Sequence, residues 1–194
     1  MQERTELTNE YELKKFKLHQ KVIANLCAQL DIPDIRAGKL TIRDERNWRV
    51  NEKEISYCWL VNISRSFVGW CWICYVKFNE SNFRDIENPE ELIKVLCTTD
   101  QAGNIDKLHI DTKSQNFEDK IRDITAYDMF DANLGFTLDG VTYEFIVFAP
   151  NTELRITLNN PNSENWKKWE KEIWKIGGNL AEESGIDELK EIFS

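Results

Sequence analysis

Only two histidines, His19 and His109, occur in 194 residues, and they lie far apart in the chain. This scarcity removes most proton-shuttle and imidazole-metal schemes, because histidine is the side chain that titrates near neutral pH and the commonest metal ligand. No GxSxG elbow, glycine-rich phosphate loop or HExxH helix is present, so the marks of a serine hydrolase, a nucleotide-binding enzyme and a zinc peptidase are missing. General acid or base work would fall on carboxylates. With 8 glycines, 4 prolines and no low-complexity tract, the chain is neither collagenous nor linker-rich and reads as ordered and globular. Apolar runs stop at strand length, short of the ~20 residues of a membrane helix. The first twenty residues are charged throughout, without the apolar stretch of a secretory signal. The expectation is a cytoplasmic protein that makes no membrane contact.

Acidic residues number 34 against 25 basic ones, a formal charge of −9. That balance excludes a general nucleic-acid surface, which depends on lysine and arginine to neutralise phosphates. It fits solubility, or steering of a basic protein partner. The five cysteines, without secretory context, fit a reducing compartment and buried free thiols. Trp70-Cys71-Trp72-Ile73-Cys74 has the WCxxC spacing of redox motifs. Such pairs sit at the start of a helix, which can lower one thiol's pKa, whereas this run continues into Tyr75-Val76-Lys77-Phe78 and reads as a strand. Residues three apart on a strand point to opposite faces. No second CxxC exists to complete a zinc site, and neither a metal nor another cofactor is expected.

What the chain has in abundance is aromatic residues, with 7 Trp, 10 Phe and 5 Tyr. Residues Ile55 to Phe78 hold three of the tryptophans and three of the cysteines, with Asn62 to Ser66 the only polar interruption. This composition predicts two strands in a hairpin. A turn centred on Ser64 and Arg65 sets Trp59 opposite Trp70, Tyr57 opposite Trp72 and Cys58 opposite Cys71. One face then carries Tyr57, Trp59, Val61 and Ile63 with Trp70, Trp72, Cys74, Val76 and Phe78, and it needs a covering helix.

Around this hairpin the spacing predicts a helix from an N-cap at Thr8 to Leu30, stopped by Pro33, with a basic middle at Lys14, Lys15, Lys17 and Lys21. Residues 39–50 suit an edge strand. Pro89 and its acidic neighbours open a short helix through Cys97. Residues 98–104 read as a loop inside one body, followed by a strand over 105–110 and a helix from Ser114 to Tyr127. Asp139-Gly140 supplies a two-residue turn, pairing Leu138 with Val141 and Phe136 with Tyr143. A third strand over 154–158 completes a meander. In the last helical region Trp166, Trp169, Ile173, Ile176 and Leu180 form one stripe, Trp174 lies off it, and Gly177-Gly178 ends or kinks the helix. Ile186, Leu189, Ile192 and Phe193 mark a short terminal helix. The expected fold is a single α+β domain over 1–194, an antiparallel sheet built from hairpins and a meander, covered by an N-terminal and a C-terminal helix. Its two halves, 1–98 and 99–194, each read helix, three strands, helix.

Two constellations bear on chemistry. Asp131-Ala-Asn133-Leu-Gly135 is a fragment of a calcium loop, but Thr142 stands where the bidentate Glu belongs. Asp123, Asp128, Asp131 and Asp139 cluster in sequence at the meander entry. The functional reading is noncatalytic binding of another, basic protein, as by a small inhibitor, an immunity protein against a toxin, or a dedicated chaperone. Trp48, in a charged strand, and Trp174, off its helix stripe, are the partner-binding residues this reading selects, because incompletely buried tryptophans are typical binding hot spots. The alternatives are a metal-dependent hydrolase using Asp128 and Asp131, and a small-ligand pocket between sheet and helix.

Overall fold

The computed structural model describes residues 2–32, 34–35, 41–42, 53–65, 69–80, 91–112, 140–149 and 152–194. In chain order the elements are α1 (Gln2–Gln29), β1 (Thr41–Ile42), β2 (Lys53–Arg65), β3 (Gly69–Glu80), β4 (Glu91–Thr99), β5 (Ile105–Asp111), β6 (Val141–Ala149), β7 (Thr152–Asn159), α2 (Glu164–Ser184) and α3 (Asp187–Phe193). Six strands run in the order β5-β4-β3-β2-β6-β7, with β1 pairing the start of β2. Every neighbouring pair is antiparallel. The α+β fold with helices at both ends of the chain is therefore as the sequence implies.

The sheet is buried on both faces. One face carries Trp59, Val61, Ile63, Cys71, Ile73 and Tyr75 and packs against the Trp166, Trp169, Ile173, Ile176 and Leu180 stripe of α2. The other carries Cys58, Leu60, Trp72, Cys74 and Val76 and packs against Val22, Ile23, Leu26 and Cys27 of α1. This double covering explains why β2 and β3 are apolar at nearly every position rather than at alternate ones. It also corrects the expected hairpin register. Trp59 pairs with Tyr75, Leu60 with Cys74 and Arg65 with Gly69, so the turn lies between Arg65 and Gly69 and β3 is displaced by five residues. A displacement of odd length exchanges the faces of β3. With no wet face to fix register, the alternation alone did not choose between the pairings.

Further expectations are overturned. Residues 91–99 form a strand, not a helix: Leu92 and Leu96 enter one core and Val95 and Cys97 the other. Burial between two strands outweighs the helix-start signal at Pro89, itself outside the described residues. Val141 and Tyr143 do not pair with 136–138, because β6 is flanked by β2, with Ile63 opposite Tyr143, and by β7, with Leu158 opposite Tyr143. Residues 136–139, the helix expected over 114–127 and most of 39–50 lie outside the described residues. Helix α1 begins at Gln2 rather than beyond Thr8. The division between 98 and 99 falls inside β4, and the direct β2-β6 pairing joins strands from both halves in one sheet.

A further correction concerns Gly177-Gly178, which does not end α2. The helix runs on to Ser184 and is closed by Gly185 at φ 67°, a left-handed conformation that glycine adopts without steric cost. Gly177 instead makes room for α3: a Cβ there would lie 2.1 Å from Cε1 of Phe193, whereas a Cβ on Gly178 would meet nothing nearer than 3.9 Å. Gly177→Ala is therefore expected to destabilise by about 1 kcal/mol, an overpacking cost of ~1–3 kcal/mol partly offset by ~1 kcal/mol of helix propensity. Gly178→Ala should stabilise by up to ~1 kcal/mol. Urea unfolding of the two variants checks the difference in sign.

Candidate functional site

Among the described residues, several buried charged side chains pair with one another. On the α1 face, Asn62 of β2 and Glu144 of β6 are directly opposed, and His19 of α1 lies over them. Its Nδ1 is 2.6 Å from Glu144 Oε2 and its Nε2 is 3.2 Å from Asn62 Nδ2. Lys15 pairs with the other carboxylate oxygen. Burial alone would raise the Glu144 carboxyl, but hydrogen bonds from His19 and Lys15 and their charges hold it down at about 2. The edge of Trp72 stands against the imidazole at 5.1 Å between ring centres. His19, read as isolated in the sequence, is thus the centre of a network that fastens α1 to the sheet. His19 is 2 % and Glu144 5 % exposed, which leaves a substrate no access.

The α2 face has two such groups. Lys94 of β4 donates to Asp111 of β5 at 3.1 Å, and both are buried. Nearer α3, the Tyr143 hydroxyl donates to Glu170 at 2.5 Å and accepts from the Trp174 indole N–H at 2.6 Å. Burial and the Glu170 carboxylate push the Tyr143 hydroxyl up. Trp174 is half-buried, as its place off the stripe implies, but its ring is engaged on both sides. The Arg65 guanidinium lies 4.2 Å from the ring centre and Phe193 packs edge-on at 5.2 Å. Trp48, Asp123, Asp128, Asp131 and Asp139 lie outside the described residues. Cys71 and Cys74 enter opposite cores; burial pushes the Cys71 thiol well up, and the hydrogen bond with Cys58, together with burial, does the same to Cys74. None of the five cysteines is in a disulfide, and all are buried.

Arg65 leads from Trp174 to an open concavity. Where the ends of β2, β3, β4 and β5 meet α3, a cleft of about 440 Å³ is walled by Ile63, Trp70, Cys71 and Ile192. Four carboxylates, Asp100, Asp106, Glu188 and Glu191, line it with two cations, Arg65 and Lys107. The turn between β4 and β5 sets its outer lip. Asp100 accepts from the backbone N–H groups of Ala102 and Asn104 at 2.9 and 2.8 Å, an Asx-type turn. Gly103, at φ 77°, packs this turn against Leu18 of α1. Lys21 adds hydrogen bonds to the Ala102 carbonyl and the Asn104 side chain at 2.8 and 2.9 Å. The lip is thereby fixed from the α1 side of the sheet while its acidic edge opens beside α3.

These charges are unequally used. Asp100 is spent on its turn, and Glu188 is 3.1 Å from Lys107. Arg65 is held by Trp174 and by the Ile192 carbonyl at 3.5 Å. Asp106 acts electrostatically on the neighbouring Lys107, and Glu191 has no ion-pair partner among the described residues. No sequence motif marked this cleft, because its residues come from five elements and each is an ordinary surface type. A signal did exist for the α1 network: Asn62 and Glu144 interrupt otherwise apolar strands. No group of three or more metal-ligating side chains occurs among the described residues, and no helix there is long and apolar enough to cross a membrane. Comparison with protein-family models, curated proteins and solved structures yields no match.

Proposed function

We propose that this is a noncatalytic binding protein for a basic protein partner, engaged at the acidic cleft beside α3, in the manner of a small inhibitor, an immunity protein or a dedicated chaperone. The observation that carries the reading is the contrast in charge use. Within the layers, Lys94 and Asp111, and His19, Lys15 and Glu144, satisfy one another, whereas the open cleft carries four carboxylates against the two cations Arg65 and Lys107, with Glu191 in no ion pair among the described residues. Its neighbours on α2 and α3, including Glu182, Glu183 and Asp187, are exposed and extend the negative surface. A partner with complementary charge is attracted from solution by such a field and deterred by none of the apolar walls. Trp174 contributes by anchoring Arg65 at the back of the cleft, and Trp48 is retained as a contact residue of the same proposal.

The test is affinity purification from the protein's own cells at moderate salt, with the eluted partner then produced pure. One basic protein, bound stoichiometrically and less tightly as salt rises, is expected. The Asp106→Lys, Glu191→Lys double variant should weaken it by about tenfold with an unchanged melting curve. Binding indifferent to both salt and this variant would remove the proposal.

A further inference from the structure

We infer that β7 is a self-docking edge: two copies of this chain pair β7 with β7, antiparallel about a two-fold axis at Leu154, and so form one continuous sheet. This surface is separate from the acidic cleft. β5 and β7 are the two ends of the strand order, and an edge strand carries a row of backbone donors and acceptors that a further strand can use. The Asn160 N–H donates to the Val141 carbonyl at 2.9 Å, and hydrogen-bonded positions alternate along an antiparallel ladder. Thr152, Leu154, Ile156 and Leu158 therefore bond to β6, while the N–H and C=O groups of Glu153, Arg155, Thr157 and Asn159 point outward. The two edges are protected differently. β5 pairs with β4 through a register shift at Thr98 and Thr99 and carries Asp106, Lys107 and Asp111, the irregularity and charge that keep an edge from pairing. β7 holds an unbroken register with β6 over all 8 residues and contains no proline, glycine or lysine.

The charges on β7 select what fits it. Glu153 and Arg155 are its only charged residues, both exposed, and neither forms an ion pair among the described residues. They lie on the α1 face, opposite Phe148 and Ile146 of β6. A two-fold axis normal to the sheet keeps like faces together, so the residue on the axis fixes the whole register. With Glu153 or Arg155 on the axis, like charges oppose each other. With Ile156 or a later residue there, Arg155 meets Thr157, Asn159 or Pro161, and both charges stay unmatched. With Leu154 there, Glu153 of each copy faces Arg155 of the other, which gives two reciprocal ion pairs on one face and a leucine contact on the other. The strand is complementary to itself in that register. Phe16 of α1 stands at the same edge: its ring centre is 5.4 Å from the Arg155 guanidinium, and it is 46 % exposed, with Leu13 one turn away 51 % exposed. The pairing is isologous and occupies β7 in both copies, so it closes at a dimer.

The experiment is sedimentation velocity of the full chain up to about 500 µM, because an interface of one short strand is small and holds weakly. A monomer–dimer equilibrium is expected. Glu153→Arg, and separately Arg155→Glu, should each weaken the dimer about tenfold or more, since each sets like charges opposite at both pairs. An equimolar mixture of the two variants should recover association as a heterodimer. The double variant Glu153→Arg, Arg155→Glu should recover it within one chain, with melting curves of the dilute proteins unchanged throughout. The cleft variant Asp106→Lys, Glu191→Lys should leave the dimer intact, which keeps this inference separable from the binding role. A chain that stays monomeric at about 500 µM, a dimer indifferent to both single variants, or single variants that do not associate on mixing overturns the inference. Capture at β7 of a segment from a different protein, in place of a second copy, overturns it as well.

Discussion

Glu144→Ala is expected to cost about 3–5 kcal/mol, the scale for removing one member of a buried charge group and leaving the others uncompensated. Glu144 has both carboxylate oxygens engaged, one by His19 at 2.6 Å and one by Lys15. Alanine would leave the buried His19 with a polar contact to Asn62 alone, in a layer otherwise made of Val22, Ile23, Leu26 and Cys27 against the sheet. The same carboxylate gives a pH dependence. Its folded value of about 2 lies below the ordinary 4.5, so the stabilisation is complete above about pH 4.5 and lost as the pH falls towards 2. A depression of that size corresponds to on the order of 3 kcal/mol. Urea unfolding of wild type and variant at pH 7 and pH 3 should show a large gap at the higher pH and a smaller one at the lower. A gap that is small at pH 7 would mean that the network is open to water and that α1 is held by its apolar residues alone.

The α1 network also separates what was legible in the sequence from what was not. Segments whose pattern is local were readable: the β6-β7 hairpin, the tryptophan stripe of α2 and the terminal helix all follow from spacing within twenty residues or fewer. The β2-β3 hairpin was readable as an element, but its register was not. Trp59 stacks on Tyr75 at 4.4 Å between ring centres only because α1 and α2 cover opposite faces, a fact of tertiary structure that makes either face of β3 acceptable to a pattern argument. Residues 91–99 failed for a related reason. Leu92, Val95 and Leu96 satisfy a helical stripe as well as they satisfy two alternating faces, and the choice is made by β3 and β5 on either side. The functional side chains depended most on long-range contact. His19 meets Glu144, 125 positions further along the chain, and the cleft joins Arg65 to Glu191, so neither has any local signature. Trp174 was singled out for its position off the stripe, and that position is what lets it reach Tyr143, Arg65 and Phe193 together.

The core on the α2 face yields the other large effect. Trp169 is fully buried and meets Tyr143, Phe145 and Trp166 edge-on or nearly so, at 5.4, 6.1 and 5.9 Å between ring centres. Trp169→Ala removes ring contacts from α2 to both Tyr143 and Phe145 of β6 and is expected to cost about 3–5 kcal/mol, transfer and cavity contributions together. Trp169→Phe should behave differently. The Trp169 indole N–H is buried with no hydrogen-bond partner among the described residues, a desolvation cost of about 1–3 kcal/mol that phenylalanine would not incur. The smaller ring forfeits part of the packing in exchange, so a net change within about 1 kcal/mol is expected. Urea unfolding should show a shifted midpoint with unchanged slope for the alanine variant, since the surface exposed on unfolding stays nearly the same. If phenylalanine costs as much as alanine, the indole N–H is satisfied and the orphan-donor argument is wrong. If alanine costs little, α2 settles onto the sheet without this ring, and the aromatic cluster is not the element that holds the layer in place.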